Sequence, residues 1–121
     1  MPEILLVEDD LLNLELGLDL LRSYGYNPRK AVEGPDVFEI LNKVKIDLIL
    51  LDVELPKMSG LEVLKKIKTN PDTKNIRVVA FTGHSDPHHK QKFLEAGFYD
   101  VISKPINFKN FRFQIEKFLK E

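Results

Sequence analysis

Polar groups that can bind a metal ion and a phosphate follow four apolar segments of this chain. The apolar segments are Ile4–Val7, Leu48–Leu51, Val78–Phe81 and Val101–Ile102. The groups that follow them, in the same order, are Glu8-Asp9-Asp10, Asp52, Thr82-Gly83 and Ser103-Lys104-Pro105. In open α/β sheets, ligands bind outside the carboxyl ends of the strands. If these segments are neighbouring strands, three or four carboxylates, one hydroxyl and one ammonium converge on one crevice.

Carboxylates that lie this close repel one another and have raised pKa values unless a cation holds them together. The chain contains no cysteine, so the candidate ligands are oxygen atoms, which favour a hard ion. A small number of carboxylates beside a phosphate site favours Mg²⁺ over Ca²⁺, and Mn²⁺ could replace it. The sequence therefore predicts a magnesium site.

Asp52 is the candidate nucleophile of this crevice. With the negative charge offset by a cation, its carboxylate could attack phosphorus and form an acyl phosphate. Lys104 would pair with phosphoryl oxygens as a point charge, and Thr82 would donate its hydroxyl to one of them. Phosphoryl transfer depends mainly on positioning and charge stabilisation, and these residue types supply both.

The elements that must position these residues alternate between strand and helix. The four apolar segments do not alternate with polar residues, which indicates strands buried on both faces of a parallel sheet. The mixed segment Arg29–Val32 follows Pro28 and is predicted to be an edge strand. Helices are expected over about Leu11–Tyr24, Gly34–Val44, Gly60–Asn70 and Pro87–Gly97, with a last helix that starts after Asn107 and continues to the end of the chain. Five strand-helix units predict an α/β sandwich with right-handed crossovers.

Length and composition indicate one domain comprising residues 1–121. A chain of 121 residues suffices for a sheet covered on both faces and leaves no room for a second domain. With 43% hydrophobic and 31% charged residues, the chain is expected to be globular rather than disordered. The net charge of -1 gives no reason to expect nucleic acid as a partner. No segment has the length of a membrane span or the pattern of a leader, so a cytoplasmic location is expected.

Several motifs, taken together and in order, resemble the response-regulator receiver family of two-component signalling. They are Val7-Glu8-Asp9-Asp10, Asp52 with Leu55-Pro56-Lys57-Met58-Ser59-Gly60, Thr82-Gly83 and Lys104-Pro105. The resemblance covers about residues 3 to 120. It implies a flavodoxin-like fold with five parallel strands in the order 2-1-3-4-5 and five helices. No output domain is expected within these 121 residues, which are either a stand-alone regulator or a receiver from a longer protein.

The resemblance also implies roles for the site residues. Glu8 and Asp9 match the acidic pair of the family, with Asp9 as a direct metal ligand. Asp52 matches both the phosphoacceptor and a metal ligand, and Glu54 would offer its backbone carbonyl to the ion. Thr82 matches the switch hydroxyl and Lys104 the phosphoryl-contacting lysine, with a cis bond expected before the proline that follows it.

Partners follow from the same resemblance. A histidine kinase or a histidine phosphotransfer protein would supply the phosphoryl group, and a downstream protein would recognise the phosphorylated form. Homodimerisation through helix 4, strand 5 and helix 5 is a further expectation, and Phe113 is predicted to be exposed on that surface. The family often has Tyr or Phe three residues before the lysine, but this chain has Val101. Tyr99 is expected to share the face of Val101 by strand alternation.

Two other functions are compatible with these residues. A small phosphohydrolase with an aspartyl nucleophile would use the same kind of sheet, but it typically needs a second Asp two residues after the nucleophile, where Glu54 stands. A binding module that no longer accepts phosphate is the other alternative, and the presence of Asp9, Asp52, Thr82 and Lys104 argues against it. We expect self-catalysed phosphoryl transfer rather than a conventional enzyme.

Structural roles compete with several of these assignments. Asp10 precedes an apolar periodic segment and is as well explained as a helix cap as a ligand. Thr82 could be a capping hydroxyl. His84, His88 and His89 invite a metal interpretation, but Asp86-Pro87 should begin a helix between the first two, which favours solvated histidines. Helix 1 has more leucines than one buried stripe requires, which favours a deeply packed helix over a docking surface.

Overall fold

The computed structural model describes residues 2–120, which form five strands and five helices in strict alternation. The strands are β1 (Ile4–Val7), β2 (Arg29–Ala31), β3 (Leu48–Asp52), β4 (Arg77–Thr82) and β5 (Asp100–Ser103). The helices are α1 (Leu11–Ser23), α2 (Gly34–Lys43), α3 (Gly60–Thr69), α4 (Pro87–Ala96) and α5 (Phe108–Lys120).

The five strands form one parallel sheet in the order β2-β1-β3-β4-β5. The predicted order and fold class are therefore confirmed. β1, β3 and β4 lie inside the sheet, and their carboxyl ends are adjacent. The register pairs Val7 with Leu51 and Asp52 with Phe81, and Thr82 with Ser103. Side chains that follow these paired residues consequently meet at one edge of the sheet.

The core consists of two apolar layers, one on each face of the sheet. Leu14, Leu18 and Leu21 of α1 pack on one face together with α5. α2, α3 and α4 pack on the other face. Because both faces are covered, every residue of β3 is buried, which explains the unbroken apolar segment that precedes Asp52.

Helix ends coincide with capping residues in the sequence. The side chains of Asp10, Ser59 and Asp86 accept hydrogen bonds from the first turns of α1, α3 and α4, respectively. Each cap thereby satisfies a backbone N–H that has no partner inside its helix. Gly97 ends α4 with a φ of 116°, a conformation that glycine adopts at little cost. Asp10 is therefore the α1 cap.

α1 is only partly the deeply packed helix that its leucines predicted. Leu14, Leu18 and Leu21 are buried, and Leu16 and Leu20 are half-buried. Leu11 and Leu12 in the first turn are 69% and 84% exposed. The first turn projects past the end of β1, so no neighbouring layer covers it.

No helix within residues 2–120 is long and apolar enough to cross a membrane.

The predicted common face of Tyr99 and Val101 is wrong. Val101 packs in the layer of α4, whereas the Tyr99 ring lies 6.0 Å from the ring of Phe118 on α5. Tyr99 also lies under the guanidinium of Arg77, at 5.0 Å. The reason is that Tyr99 precedes β5, which begins at Asp100, so strand alternation does not extend to it. Phe113 of α5 is 72% exposed, as expected.

Candidate functional site

Three carboxylates converge at the carboxyl ends of β1 and β3. Glu8, Asp9 and Asp52 each place an oxygen within 4.8 Å of the others. Glu8 and Asp52 are buried, at 0% and 3% exposure, whereas Asp9 is exposed. Within residues 2–120, no other group of three His, Asp or Glu residues has this geometry. The histidines His84, His88 and His89 therefore do not form such a group.

Lys104 lies between two of these carboxylates. Its Nζ is 2.6 Å from Glu8 Oε1 and 3.1 Å from Asp52 Oδ2. The Lys104 backbone N–H donates to the Thr82 carbonyl at 2.8 Å, which fixes the start of the β5–α5 loop against β4. The Lys104–Pro105 bond is cis, as the resemblance implied. The ammonium also lies 5.0 Å from the centre of the Phe81 ring.

The environment of Glu8 favours its protonated form. Burial, followed by the hydrogen bond with Asp52, raises the pKa of Glu8 to about 7, against the lowering effect of Lys104. Burial alone would lower the pKa of Lys104, but Glu8 and Asp52 outweigh it and raise that pKa above its usual value. The single ammonium of Lys104 therefore does not neutralise the three carboxylates of Glu8, Asp9 and Asp52 completely. The negative charge that remains favours the binding of a divalent cation.

Asp52 is held by the loop that follows it. The N–H of Glu54 donates to Asp52 Oδ1 at 2.9 Å. The amino end of α3 approaches very closely, since a Cβ on Gly60 would lie 2.5 Å from the Asp52 carbonyl oxygen. Gly60 also donates its N–H to the Val53 carbonyl at 2.9 Å. The loop is thus anchored at both ends, and the Asp52 carboxylate has a defined orientation.

Thr82 is the last residue of β4 and is 2% exposed. Its Oγ1 accepts a hydrogen bond from the His84 N–H at 3.0 Å. The hydroxyl therefore has a local capping contact, as the structural alternative proposed. This contact uses the oxygen as an acceptor, so the hydroxyl hydrogen can still be donated to a phosphoryl oxygen.

The side chains of Glu54 and His84 meet outside the carboxylate group. Glu54 Oε1 lies 3.2 Å from His84 Nε2, and both side chains are mostly exposed. The His84 ring stacks on His89 with centroids 5.1 Å apart, and His89 Nδ1 lies 2.6 Å from Asp86 Oδ1. α4 begins at Pro87, between His84 and His88, as predicted. His84 and His89 thus contact acidic side chains at the surface of the protein.

Asn13 was missed by the sequence reasoning. It lines the acidic pocket of about 360 Å³, together with Asp10, Gly83 and all the predicted acidic residues. The available signal was its spacing, because Asn13 is the third residue after the α1 cap and four residues after Asp9. This spacing places Asn13 in the first turn of α1, close in sequence to the end of β1, but it does not by itself show that the side chain lines the pocket.

Comparisons with known proteins agree with this geometry. The family model of the response regulator receiver domain matches residues 4–116. The polar-differentiation response regulator DivK of Brucella anthropi is 33% identical over 120 residues, covering 98% of both chains. A probable cyclic di-GMP phosphodiesterase of Vibrio cholerae is 40% identical over 104 residues, but this chain spans only 23% of its length.

Two solved structures are similar over nearly their full length. A putative response regulator from Chloroflexus aurantiacus is 28% identical, with a TM-score of 0.92 and full coverage of both chains. The receiver domain of a sensor histidine kinase from Pseudomonas aeruginosa, with a magnesium ion coordinated in its active site cleft, is 25% identical. Its TM-score is 0.89, with 99% and 98% of the two chains covered. This chain therefore belongs to the response regulator receiver domain family.

Proposed function

We propose that residues 1–121 form one receiver domain in which Asp52 accepts a phosphoryl group. The observation that supports this most directly is the position of the Asp52 carboxylate. It is buried and contacts the Lys104 ammonium. One of its oxygens lies within 4.8 Å of oxygens of Glu8 and Asp9, so the three carboxylates can bind the same metal ion. A nucleophile, a charge-neutralising cation and metal ligands are thus available in one pocket. Members of this family are generally not conventional enzymes.

The residues fit a magnesium ion. Glu8, Asp9 and Asp52 offer oxygen atoms close enough to share one ion. By its resemblance to the family, we assign the Glu54 carbonyl as a further ligand. Asp9 is exposed, so the remaining positions are open to water and phosphate, as Mg²⁺ requires. When bound, the ion supplies positive charge beside the attacking carboxylate and the phosphoryl oxygens. Mn²⁺ has the same preference for oxygen ligands and is proposed to substitute.

The proposed step is an in-line transfer from a phosphohistidine. A carboxylate oxygen of Asp52 forms a bond to phosphorus while the phosphorus–nitrogen bond of the donor breaks. The donor imidazole retains the electron pair and takes up a proton. Lys104 then pairs with a phosphoryl oxygen, and Thr82 donates its hydroxyl hydrogen to another. Hydrolysis of the acyl phosphate by water resets the domain.

The proposed partners are a donor and a recipient of the signal. A histidine kinase or a phosphotransfer protein presents the phosphohistidine at the pocket, in the cytoplasm, where such donors are phosphorylated from ATP. The exposed Leu11 and Leu12 at the start of α1 adjoin Asp10 and provide apolar area for that contact. A downstream protein then recognises the phosphorylated surface.

Incubation with Mg²⁺ and acetyl phosphate, followed by intact mass measurement, tests phosphorylation. We expect one added phosphoryl group, the same result with Mn²⁺, and no addition with EDTA or in Asp52→Asn. Hydrolysis of a generic phosphomonoester without accumulation of phosphorylated protein would instead support the alternative of a small phosphohydrolase. If neither acetyl phosphate nor a phosphorylated kinase adds mass to the protein, the remaining alternative is the binding module that does not accept phosphate.

A surface formed by α4, β5 and α5 is the proposed site of homodimerisation. Phe113 of α5 is 72% exposed and provides an apolar contact there. We expect Phe113→Ala to weaken self-association of the phosphorylated protein by about tenfold, since a buried aromatic contact is worth at least 1–2 kcal/mol. Sedimentation velocity measures this change. Unchanged self-association together with unchanged partner binding would remove Phe113 from the interface.

A further inference from the structure

A groove of about 400 Å³ lies along the outer edge of β2, between α1 and α2. Leu11 and Leu14 of α1 line one side, and Ile40 of α2 lines the other. Leu14 and Ile40 belong to the apolar layers on opposite faces of the sheet. The edge of the sheet, at β2, therefore lies between the two sides of the groove. It shares no lining residue with the acidic pocket.

β2 offers backbone hydrogen-bonding groups to this groove. Within residues 2–120, β2 pairs with β1 alone. The Ala31 carbonyl points toward β1, since it accepts from the Glu8 N–H at 3.0 Å. Backbone groups of successive strand residues point to opposite sides, so the N–H and C=O of Lys30 point outward. Lys30 lines the groove, and its outward groups are those that an added strand would use.

The charges of the groove select the side chains of such a strand. Glu15, Asp36 and Glu39 line it with Lys30 as the single cation, and none of the four forms an ion pair within the described residues. Two of the three carboxylates, Asp36 and Glu39, lie on the α2 side, whereas the leucines lie on the α1 side. Side chains of an extended segment alternate between the two faces of a sheet. Apolar residues would thus face α1 and basic residues would face α2.

We propose that this groove binds an extended segment of a partner protein, with alternating apolar and Lys or Arg residues, that adds to the edge of β2. The occupant is a flexible segment rather than a second copy of this chain. A second copy would bring its own Glu15, Asp36 and Glu39 against the same three carboxylates of this groove. Like charges placed opposite one another disfavour such a contact.

A synthetic peptide, acetyl-Val-Arg-Val-Arg-Val-amide, tests the proposal on the full chain labelled with ¹⁵N. We expect saturable shift changes at the amides of Lys30 and Val32 and along the facing sides of α1 and α2. The dissociation constant should be on the order of 1 mM, because Lys30 provides two edge groups for a short peptide. Hydrogen exchange of the Lys30 amide should slow in the complex, since its N–H becomes bonded.

Two peptides and two variants serve as controls. The peptide acetyl-Val-Glu-Val-Glu-Val-amide has reversed charge, and the fully N-methylated form of the basic peptide lacks backbone donors; neither should bind. Asp36→Lys should weaken binding by about threefold to tenfold, as expected for reversing an exposed ion pair. Lys30→Pro removes the outward N–H at an edge position that tolerates proline, and it should abolish binding.

Several results would overturn the proposal. They include absence of shift changes at about 10 mM peptide, equal binding of the glutamate peptide, and undiminished binding of the N-methylated peptide. Shift changes at β2 that depend on protein concentration alone would assign the groove to a second copy instead. If Lys30→Pro fails to fold, Asp36→Lys and the two control peptides still decide the question.

Discussion

Glu8 and Asp9 are adjacent in the sequence but have different electrostatic environments. Glu8 is fully buried and shares the Lys104 ammonium with Asp52, whereas Asp9 is exposed. Burial raises the pKa of Glu8 to about 7. Glu8 is thus the member of the acidic pair whose protonation changes near neutral pH, and its charge couples the pocket to the stability of the domain.

The pKa of Glu8 predicts a pH dependence of stability in the metal-free protein. Between its ordinary value of 4.5 and about 7, folded Glu8 retains a proton that the unfolded chain has released. The free energy of unfolding should therefore fall as pH rises through this window, by at most about 1.4 kcal/mol per pH unit. Glu8→Gln lacks this contribution, so the difference in stability between wild type and variant should fall from about pH 5 to about pH 7.

Denaturant unfolding in EDTA at a series of pH values measures this difference. Carboxylates remote from the pocket contribute equally to both proteins and cancel in the comparison, so the difference reports Glu8 together with Asp52, its hydrogen-bond partner. A difference that stays constant between about pH 5 and about pH 8 would show that Glu8 titrates at its ordinary value.

At the scale of single elements, the amino end of α3 positions Asp52. A Cβ at Gly60 would lie 2.5 Å from the Asp52 carbonyl oxygen and 2.7 Å from Val53 Cα. Both atoms are backbone, so α3 must move away from the end of β3 to accept a side chain. We expect Gly60→Ala to lower the free energy of unfolding by about 1–3 kcal/mol and to slow phosphorylation, because the loop that holds Asp52 shifts with the helix.

Gly83→Ala is the matched control for this prediction, since a Cβ at Gly83 meets nothing within 4 Å. Its free energy of unfolding should change by less than about 0.5 kcal/mol, as for ordinary surface substitutions. Urea unfolding of both variants gives the comparison. Equal stability of Gly60→Ala and wild type would mean that α3 does not constrain the end of β3.

The elements also show how far the sequence predicts the structure. Polar residues after buried strands indicated Asp52, Thr82 and Lys104, because the carboxyl ends of parallel strands must lie together. The strands extend to include Asp52 and Thr82, one residue further than the apolar segments themselves. Periodicity applies only inside a regular element, which is why Tyr99, just before β5, was assigned to the wrong face.

Other features of the site depend on side-chain packing, which one sequence does not contain. The approach of Lys104 to Glu8 and the contact of Glu54 with His84 join residues from different loops. Asn13 lies on the first turn of α1, where sequence spacing alone does not distinguish a pocket residue from a solvated one. The strand order was implied by the family resemblance and could not be derived from the chain's own pattern.

At the scale of the whole molecule, metal binding and folding are coupled. Glu8 and Asp9 follow β1 and Asp52 ends β3, and these two strands are brought together only in the folded sheet. An ion that binds the folded chain and not the unfolded chain stabilises it by mass action, by about 1.4 kcal/mol at ten times the dissociation constant. For a domain of this size, that corresponds to a rise in Tm of about 5 °C.

The coupling predicts that Mg²⁺ raises the Tm more at about pH 8 than at about pH 5.5, because Glu8 must lose its proton to bind the ion. Asp9→Asn is the matched control: Asp9 is exposed, so the variant should keep its Tm without metal and lose most of the increase. Thermal unfolding of both proteins, with Mg²⁺ and with EDTA at each pH, measures the four shifts. If Mg²⁺ raises the Tm of Asp9→Asn as much as that of the wild type, the ion binds elsewhere. If the rise in Tm is equal at both pH values, Mg²⁺ binding does not require Glu8 to lose its proton.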